Sequence, residues 1–310
     1  MKNCYKQPKI LVIKLGALGD VVQVMGAAAA VRAHHPEAEI TFLTTRPYAD
    51  LARRAPYFDA VWIDERPGWG DPVGWWRLAR RLRRAGFARV YDFQTRPRTA
   101  LYHLLMGRPE WSGTAPFASH PHDNPARDRL HTLDRQEEQL RRAGLRGPVP
   151  LPDLAWAAIE PPRFVLPHAF VLLIPGGAPH RPQKRWPIAH YAALARRIAA
   201  AGMTPVVIGA AAERPLGHRI AAAAPETRDL TGRTEFGDIV ALARRARRTI
   251  GNDTGPMHLA VAAGSPATVL YSAASDPALT APRGADVVIL RRNDLALLGV
   301  EEVAATLGSG

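Results

Sequence analysis

The chain has 310 residues, 47% hydrophobic and 22% charged, a balance that excludes wholesale disorder and leaves room for two globular domains of ordinary size. Its formal net charge is +13, with 24 Lys and Arg against 15 Asp and Glu up to residue 150, and 17 against 13 beyond it. Such an excess favours anionic partners (nucleic acid, acidic lipid headgroups, or phosphorylated and carboxylated sugars), although an Arg-rich and Ala-rich composition alone also produces it. A single cysteine, Cys4, excludes an internal disulfide and a cysteine-based zinc site. Residues 1–9 hold no apolar run of signal-peptide type, and the apolar run 21–31 is too short to span a bilayer. A cytoplasmic protein is expected, touching the inner face of the membrane only through its charge.

In chain order, β-branched apolar runs alternate with helical ones. Residues 10–14 read as strand, 21–34 as helix, 39–43 as strand, 47–54 as helix and 60–63 as strand. An amphipathic helix is predicted over 73–85, with Trp75, Leu78 and Leu82 on one side and five arginines mostly on the other. A strand over 88–91 and a helix over 99–106 follow; then periodicity lapses from 110 to 129 and returns as a helix over 132–143. Six prolines within 146–167 mark an interdomain linker. The alternation resumes with strand 170–174, helix 188–201, strand 204–208, helix 214–223, strand 228–230 and helix 236–245. Strand 248–251, helix 256–263, strand 267–271, strand 287–290 and helix 300–307 complete the chain. This alternation predicts two successive α/β domains, 1–160 and 161–310, each a parallel sheet with crossover helices and ligands at the carboxyl ends of strands.

Three segments carry the chemistry. The first strand runs into Lys14-Leu15-Gly16-Ala17-Leu18-Gly19-Asp20, where Gly16 and Gly19 let the backbone turn and approach a ligand. It is neither a G-x-G-x-x-G dinucleotide fingerprint nor a P-loop. Asp20 fits either an N-cap or a general base acting on an acceptor hydroxyl. In the second half, Gly176-Gly177 follows a strand, and Lys184-Arg185 stands just before a helix opened by Pro187; that pair reads either as a solvated basic loop or as a diphosphate cradle. The third segment, Asn252-Asp253-Thr254-Gly255-Pro256-Met257-His258, turns from strand into helix. There Thr254 and the amides beyond it are placed for phosphate, and His258 is either packed or a ligand. A lone Asp-Thr-Gly in an α/β setting does not make an aspartic protease.

Together these three segments resemble the ADP-heptose:lipopolysaccharide heptosyltransferases of glycosyltransferase family nine. Asp92-Phe93-Gln94, Leu230-Thr231-Gly232-Arg233-Thr234 and Ser275-Asp276-Pro277 agree with them. The resemblance implies a GT-B fold, two Rossmann-like doubly wound domains facing a central cleft, with acceptor bound by the first and nucleotide sugar by the second. It implies inverting transfer without metal or cofactor, with Asp20 as base and Lys184 neutralising the leaving diphosphate. Gly16, Gly19, Gly176, Arg185, Glu213, Thr234, Asp253, Thr254, Gly255 and His258 are the further donor-binding candidates. Arg46, Arg96 and Arg98 are candidates for gripping an anionic lipopolysaccharide-type acceptor. No D-x-D motif occurs, and a glycosidase would need two carboxylates flanking the bond. The sequence departs from the family at Ala178-Pro179, where hydroxyl residues are usual, in the Pro179–Pro182 loop, and in its short C-terminus after Val300. Two competing readings are a non-catalytic module for acidic glycan or nucleic acid, and a GT-B-like nucleotide-sugar epimerase. The aromatic-basic interleaving of nucleic-acid modules is missing, so no nucleic acid is expected.

Overall fold

The computed structural model describes residues 7–160 and 162–308. The chain divides into two compact units, Met1–Pro152 and Asp153–Gly310. That division falls eight residues before the boundary read from the prolines. The reason is that part of the expected linker belongs to the second unit: Leu154 and Ala157 are fully buried, and Leu154 N–H donates to Ala262 O at 2.8 Å.

The first unit contains β1 (Lys9–Ile13), α1 (Leu18–His34), β2 (Glu39–Thr44), α2 (Ala49–Arg53), β3 (Ala60–Ile63), α3 (Pro72–Ala85), β4 (Arg89–Asp92), α4 (Pro97–Leu105), β5 (Glu110–Gly113), β6 (His120–Pro121) and α5 (Thr132–Arg142). Its strands form one sheet of order β3-β2-β1-β4-β5-β6, parallel at every pairing. Strands β5 and β6 occupy the region where sequence periodicity lapses, since four and two residues are too few to show a period. What secures β5 is Trp111, which is wholly buried in the core with Tyr102, Leu82 and Val90. Helix α3 shows why its pattern was legible. Asp71 caps it by accepting from Gly74 N, Gly86 ends it at φ +66°, and Leu78 and Leu82 are its buried face.

The second unit contains β7 (Phe170–Ile174), α6 (Ile188–Ala200), β8 (Thr204–Val207), α7 (Arg214–Ala223), β9 (Arg228–Asp229), α8 (Phe236–Arg245), β10 (Arg248–Asn252), α9 (Gly255–Ala262), β11 (Ala267–Tyr271), α10 (Pro277–Thr280), β12 (Val287–Arg291) and α11 (Val300–Ala305). Its sheet has the order β12-β11-β10-β7-β8-β9, again parallel throughout. Every residue of β7, β10 and β11 is buried, as expected for central strands covered by helices on both faces. Trp186, Tyr191, Leu194 and Ile198 fill the space between this sheet and α6.

Numbered from its own first strand, each sheet has the doubly wound order 3-2-1-4-5-6. The chain reverses direction across the sheet between β1 and β4 in one unit and between β7 and β10 in the other. In doubly wound sheets the crossovers leave the switch point to opposite faces, so the loops beyond it diverge, and ligands of such sheets bind between them. The three chemistry-bearing segments follow β1, β7 and β10. No helix among the described residues is long and apolar enough to cross a membrane.

Candidate active site

At the second unit's switch point the turn after β7 meets the turn after β10. Asn252, fully buried, joins them. Its Nδ2 donates to Pro175 O at 2.9 Å and Gly176 O at 3.0 Å, while its Oδ1 accepts from Trp186 N at 2.9 Å and Tyr191 Oη at 3.2 Å. One amide thus fixes the glycine turn and the chain just after Lys184 and Arg185. A Cβ at position 176 would lie 2.0 Å from Glu213 Oε1, so any larger residue there has to displace the Glu213 carboxylate. Both Glu213 oxygens are engaged, accepting from Gly177 N and Ala210 N at 2.8 Å each. In this structure Glu213 is a clasp between two turns.

Lys184 Nζ donates to Asp253 Oδ2 at 2.5 Å, Ser275 Oγ donates to the same oxygen at 2.7 Å, and His258 Nε2 stands 3.9 Å from Oδ1. Burial pushes the Asp253 carboxyl up, but the nearby His258 ring and the hydrogen bonds from Lys184 and Ser275 outweigh burial and hold it well below the usual carboxylate range. An ammonium has three donors, so Lys184 anchored to Asp253 keeps two for a ligand. Thr254 is the N-cap of α9, yet its Oγ1 is buried without a partner, as are His258 Nδ1 and Arg185 Nε. A Cβ at Gly177 would stand 3.4 Å from Thr254 Cγ2 and 3.5 Å from Arg185 Nε, so these groups surround one glycine turn. A buried hydroxyl left unpaired costs about 1–3 kcal/mol, which a ligand oxygen would offset. The supply of amides is smaller than the sequence implied. Pro256 has no N–H, and those of Met257 and His258 return to Thr254 O at 3.1 and 3.4 Å, which leaves the Gly255 amide. Thr234 lies in the turn ahead of α8 and shares no hydrogen bond with this cluster among the described residues.

In the first unit, Asp20 is not the N-cap. Helix α1 starts two residues before it, Ala17 is the cap residue, and Asp20 Oδ2 reaches back to accept from Ala17 N at 3.1 Å. The early start follows from the turn at Gly16, whose φ is +130° and where a Cβ would meet the Tyr48 ring at 2.7 Å. Gly19 falls in the first turn of α1. The Asp20 side chain remains 42% exposed, with Oδ1 3.5 Å from the ammonium of buried Lys14. Burial draws the Lys14 pKa down, and the Asp20 carboxylate opposes that shift. Lys14 also donates to Phe93 O at 3.2 Å, and Leu15 N donates to Gln94 Oε1 at 3.0 Å. The segment Asp92-Phe93-Gln94 therefore holds the glycine turn and Asp20 in place. Asp92 is buried, accepts from the Gln94 and Thr95 amides at 3.0 Å each, and has its carboxyl pushed up to about 6 by burial.

The three acceptor candidates differ. Arg46 pairs with Glu65 at 2.6 Å, both side chains well exposed, and Arg96 is exposed at the start of α4. Arg98 is held internally, donating to Pro67 O at 3.0 Å and lying 4.9 Å from the Trp75 ring centroid. The sequence gives no sign that Asn252, Ser275 and Lys14 are positioning groups, although each is the first residue of a segment singled out there. Among the described residues no group of three or more His, Cys, Asp or Glu side chains is assembled to hold a metal ion.

Two doubly wound units of the same strand order, each with polar side chains gathered at its switch point, define the GT-B-like class of glycosyltransferase folds. The solved E. coli ADP-heptose LPS heptosyltransferase II has this fold, with a TM-score of 0.82 at 23% identity over 97% of this chain and 98% of that one. The E. coli heptosyltransferase WaaC with ADP gives a TM-score of 0.80 at 18% identity over 97% and 99%. The chain belongs to glycosyltransferase family 9 (heptosyltransferase), whose model matches residues 75–298. Lipooligosaccharide heptosyltransferase 2 of Haemophilus influenzae is 34% identical over 131 residues, which span 41% of this chain and 38% of that relative.

Proposed function

We propose that this chain is an inverting, metal-independent heptosyltransferase. It moves heptose from an ADP-linked donor to an anionic glycolipid or saccharide acceptor such as lipopolysaccharide inner core. The observation that carries this reading is the buried, partnerless Thr254 hydroxyl at the start of α9, beside the Gly176-Gly177 turn and the Lys184–Asp253 pair. Oxygen-rich, anionic ligands suit such a set, and the similar folds of the E. coli ADP-heptose LPS heptosyltransferase II and of WaaC with ADP support the same donor.

In the proposed reaction Asp20 takes the proton of the acceptor hydroxyl as that oxygen bonds to the anomeric carbon. The bond from that carbon to the diphosphate breaks in the same displacement, which inverts the centre. Negative charge growing on the departing nucleoside diphosphate is met by the Lys184 ammonium, the Thr254 hydroxyl and the Gly255 amide, all fixed before the reaction. Arg185 and His258 complete the donor site, and Arg46 and Arg96 face the acceptor's acidic groups. Donor thus belongs to the second unit and acceptor to the first.

The test is calorimetric titration with ADP and ADP-heptose, then product analysis with and without a lipopolysaccharide-core acceptor. Asp20→Asn should keep ADP affinity within about twofold and lose roughly 10²–10⁴ in turnover, the range for a general base. Lys184→Ala should weaken ADP binding. Full turnover in the Asp20 variant, or sugar interconversion from donor alone, would overturn the assignment.

A further inference from the structure

Helix α3 presents to solvent a face that neither the fold nor the proposed reaction uses. Its sequence, PVGWWRLARRLRRA, has five arginines and no acidic residue. Leu78 and Leu82 point into the core, so Val73, Trp76, Arg77, Arg80 and Arg84 fall at i, i+3, i+4, i+7 and i+11 on the outward side. Val73 is 54% exposed, Trp76 58%, and Trp69 in the loop just before the helix 72%. Exposed apolar groups gathered on one face in this way mark an interaction surface.

None of the five guanidinium groups of α3 forms an ion pair among the described residues. Arg80 lies 5.1 Å from the Trp76 ring centroid, and Trp69 stacks on Trp75 at 5.4 Å. A groove of about 600 Å³ is lined by Trp75, Trp76, Arg80, Arg83 and Arg84 of α3 together with Leu105. The apolar rings cluster at the amino end of the helix and the charges at its carboxyl end, on one continuous stripe.

We infer that this face is a docking surface for an anionic phospholipid bilayer. Indole rings favour the headgroup layer, where the ring is buried and its N–H stays wet, and unpaired guanidinium groups are drawn to phosphate-rich surfaces. The unpaired positive charge specifies a negatively charged surface, and the exposed tryptophans specify one with an apolar interior. A polyanion such as DNA would satisfy the first property and leave the second unused. The inference goes beyond the proposed reaction, and it is read without donor or acceptor.

The experiment is co-sedimentation of the whole chain with vesicles of phosphatidylcholine alone and with roughly one third phosphatidylglycerol, followed also by tryptophan fluorescence. The protein should sediment with the anionic vesicles only, with a blue shift in emission. Arg80→Gln/Arg84→Gln should lower the partition coefficient about 25-fold, at about fivefold per charge near such a surface. Trp69→Ser/Trp76→Ser should abolish the blue shift and weaken binding about tenfold or more. All four side chains are solvent-facing, so unchanged thermal unfolding confirms that the variants fold. Absence of binding to anionic vesicles overturns the inference, as does full binding by both variants. So does loss in the arginine variant alone accompanied by equally tight DNA binding, which would mark a general polyanion surface.

Discussion

Replacing Asn252 by alanine tests whether one buried amide assembles the second unit's site. In the native protein its four hydrogen bonds reach Pro175 O, Gly176 O, Trp186 N and Tyr191 Oη. Tyr191 Oη has a second partner, Ile174 O at 3.3 Å, and tolerates the loss. The Trp186 amide and the two carbonyls are left without their Asn252 bonds in a dry interior. At about 1–3 kcal/mol for each such group, reduced where a water enters the space left by the amide, the loss comes to about 3–5 kcal/mol. Urea unfolding should reveal it as an earlier transition of the 153–308 unit, and hydrogen exchange should show lost protection at the Trp186 amide. Asn252→Asp separates donor from acceptor. It keeps the oxygen facing Trp186 but sets a second oxygen against two carbonyls, so it should preserve that amide's protection better while still destabilising. Because the same amide fixes the turn and the chain carrying Lys184 and Arg185, ADP affinity should fall about tenfold in the alanine variant. A stability change under about 1 kcal/mol, with the Trp186 amide still protected, would refute the idea that Asn252 organises the site.

Gly176→Ala forces a methyl onto the Glu213 carboxylate and breaks its clasp on Gly177 and Ala210. A loss of about 2–3 kcal/mol is expected in thermal unfolding, and in a Glu213→Ala background the same change should cost much less, as coupled sites behave. Asp92 has a folded-state pKa raised to about 6, above its unfolded value near 4, so the native state holds this proton more tightly. Its contribution is therefore fully present below about pH 4 and declines as pH rises to about 6, by roughly 2–3 kcal/mol; denaturant titrations across that window should find the slope removed in Asp92→Asn. Asp253 behaves oppositely: its folded pKa is depressed, so its stabilisation is present above the unfolded carboxylate value and is lost as pH falls below about 4. Acid titration followed by circular dichroism should show this loss in the native chain, and Asp253→Asn should lack it.

The alternation of strands and helices was readable because it is written in local spacing. The run Phe170–Ile174, the stripe of Leu78 and Leu82, and the cap at Asp71 each express their structure within a few residues. The failures share one cause. Strands β5 and β6 and helix α10 are too short for any period, and they exist because Trp111 is buried or Asp276 caps a single turn. Of the two readings of Asp20, the N-cap one misses by three positions: Ala17 caps α1, beside a turn at Gly16 that packs on Tyr48, a residue 32 positions along the chain.

The same division holds at the candidate site. Sequence alone determined which segments carry polar chemistry, that they follow strands β1, β7 and β10, and the family to which they are similar. Only the tertiary structure decided what each side chain does there, because the deciding contacts join residues far apart in the chain. Lys14 reaches Phe93 across 79 positions, Asn252 reaches Pro175 across 77, and Glu213 clasps Gly177 across 36. A spacing rule sees only neighbours along the backbone, whereas a parallel sheet brings the ends of distant strands side by side and lets burial, not sequence order, choose their partners.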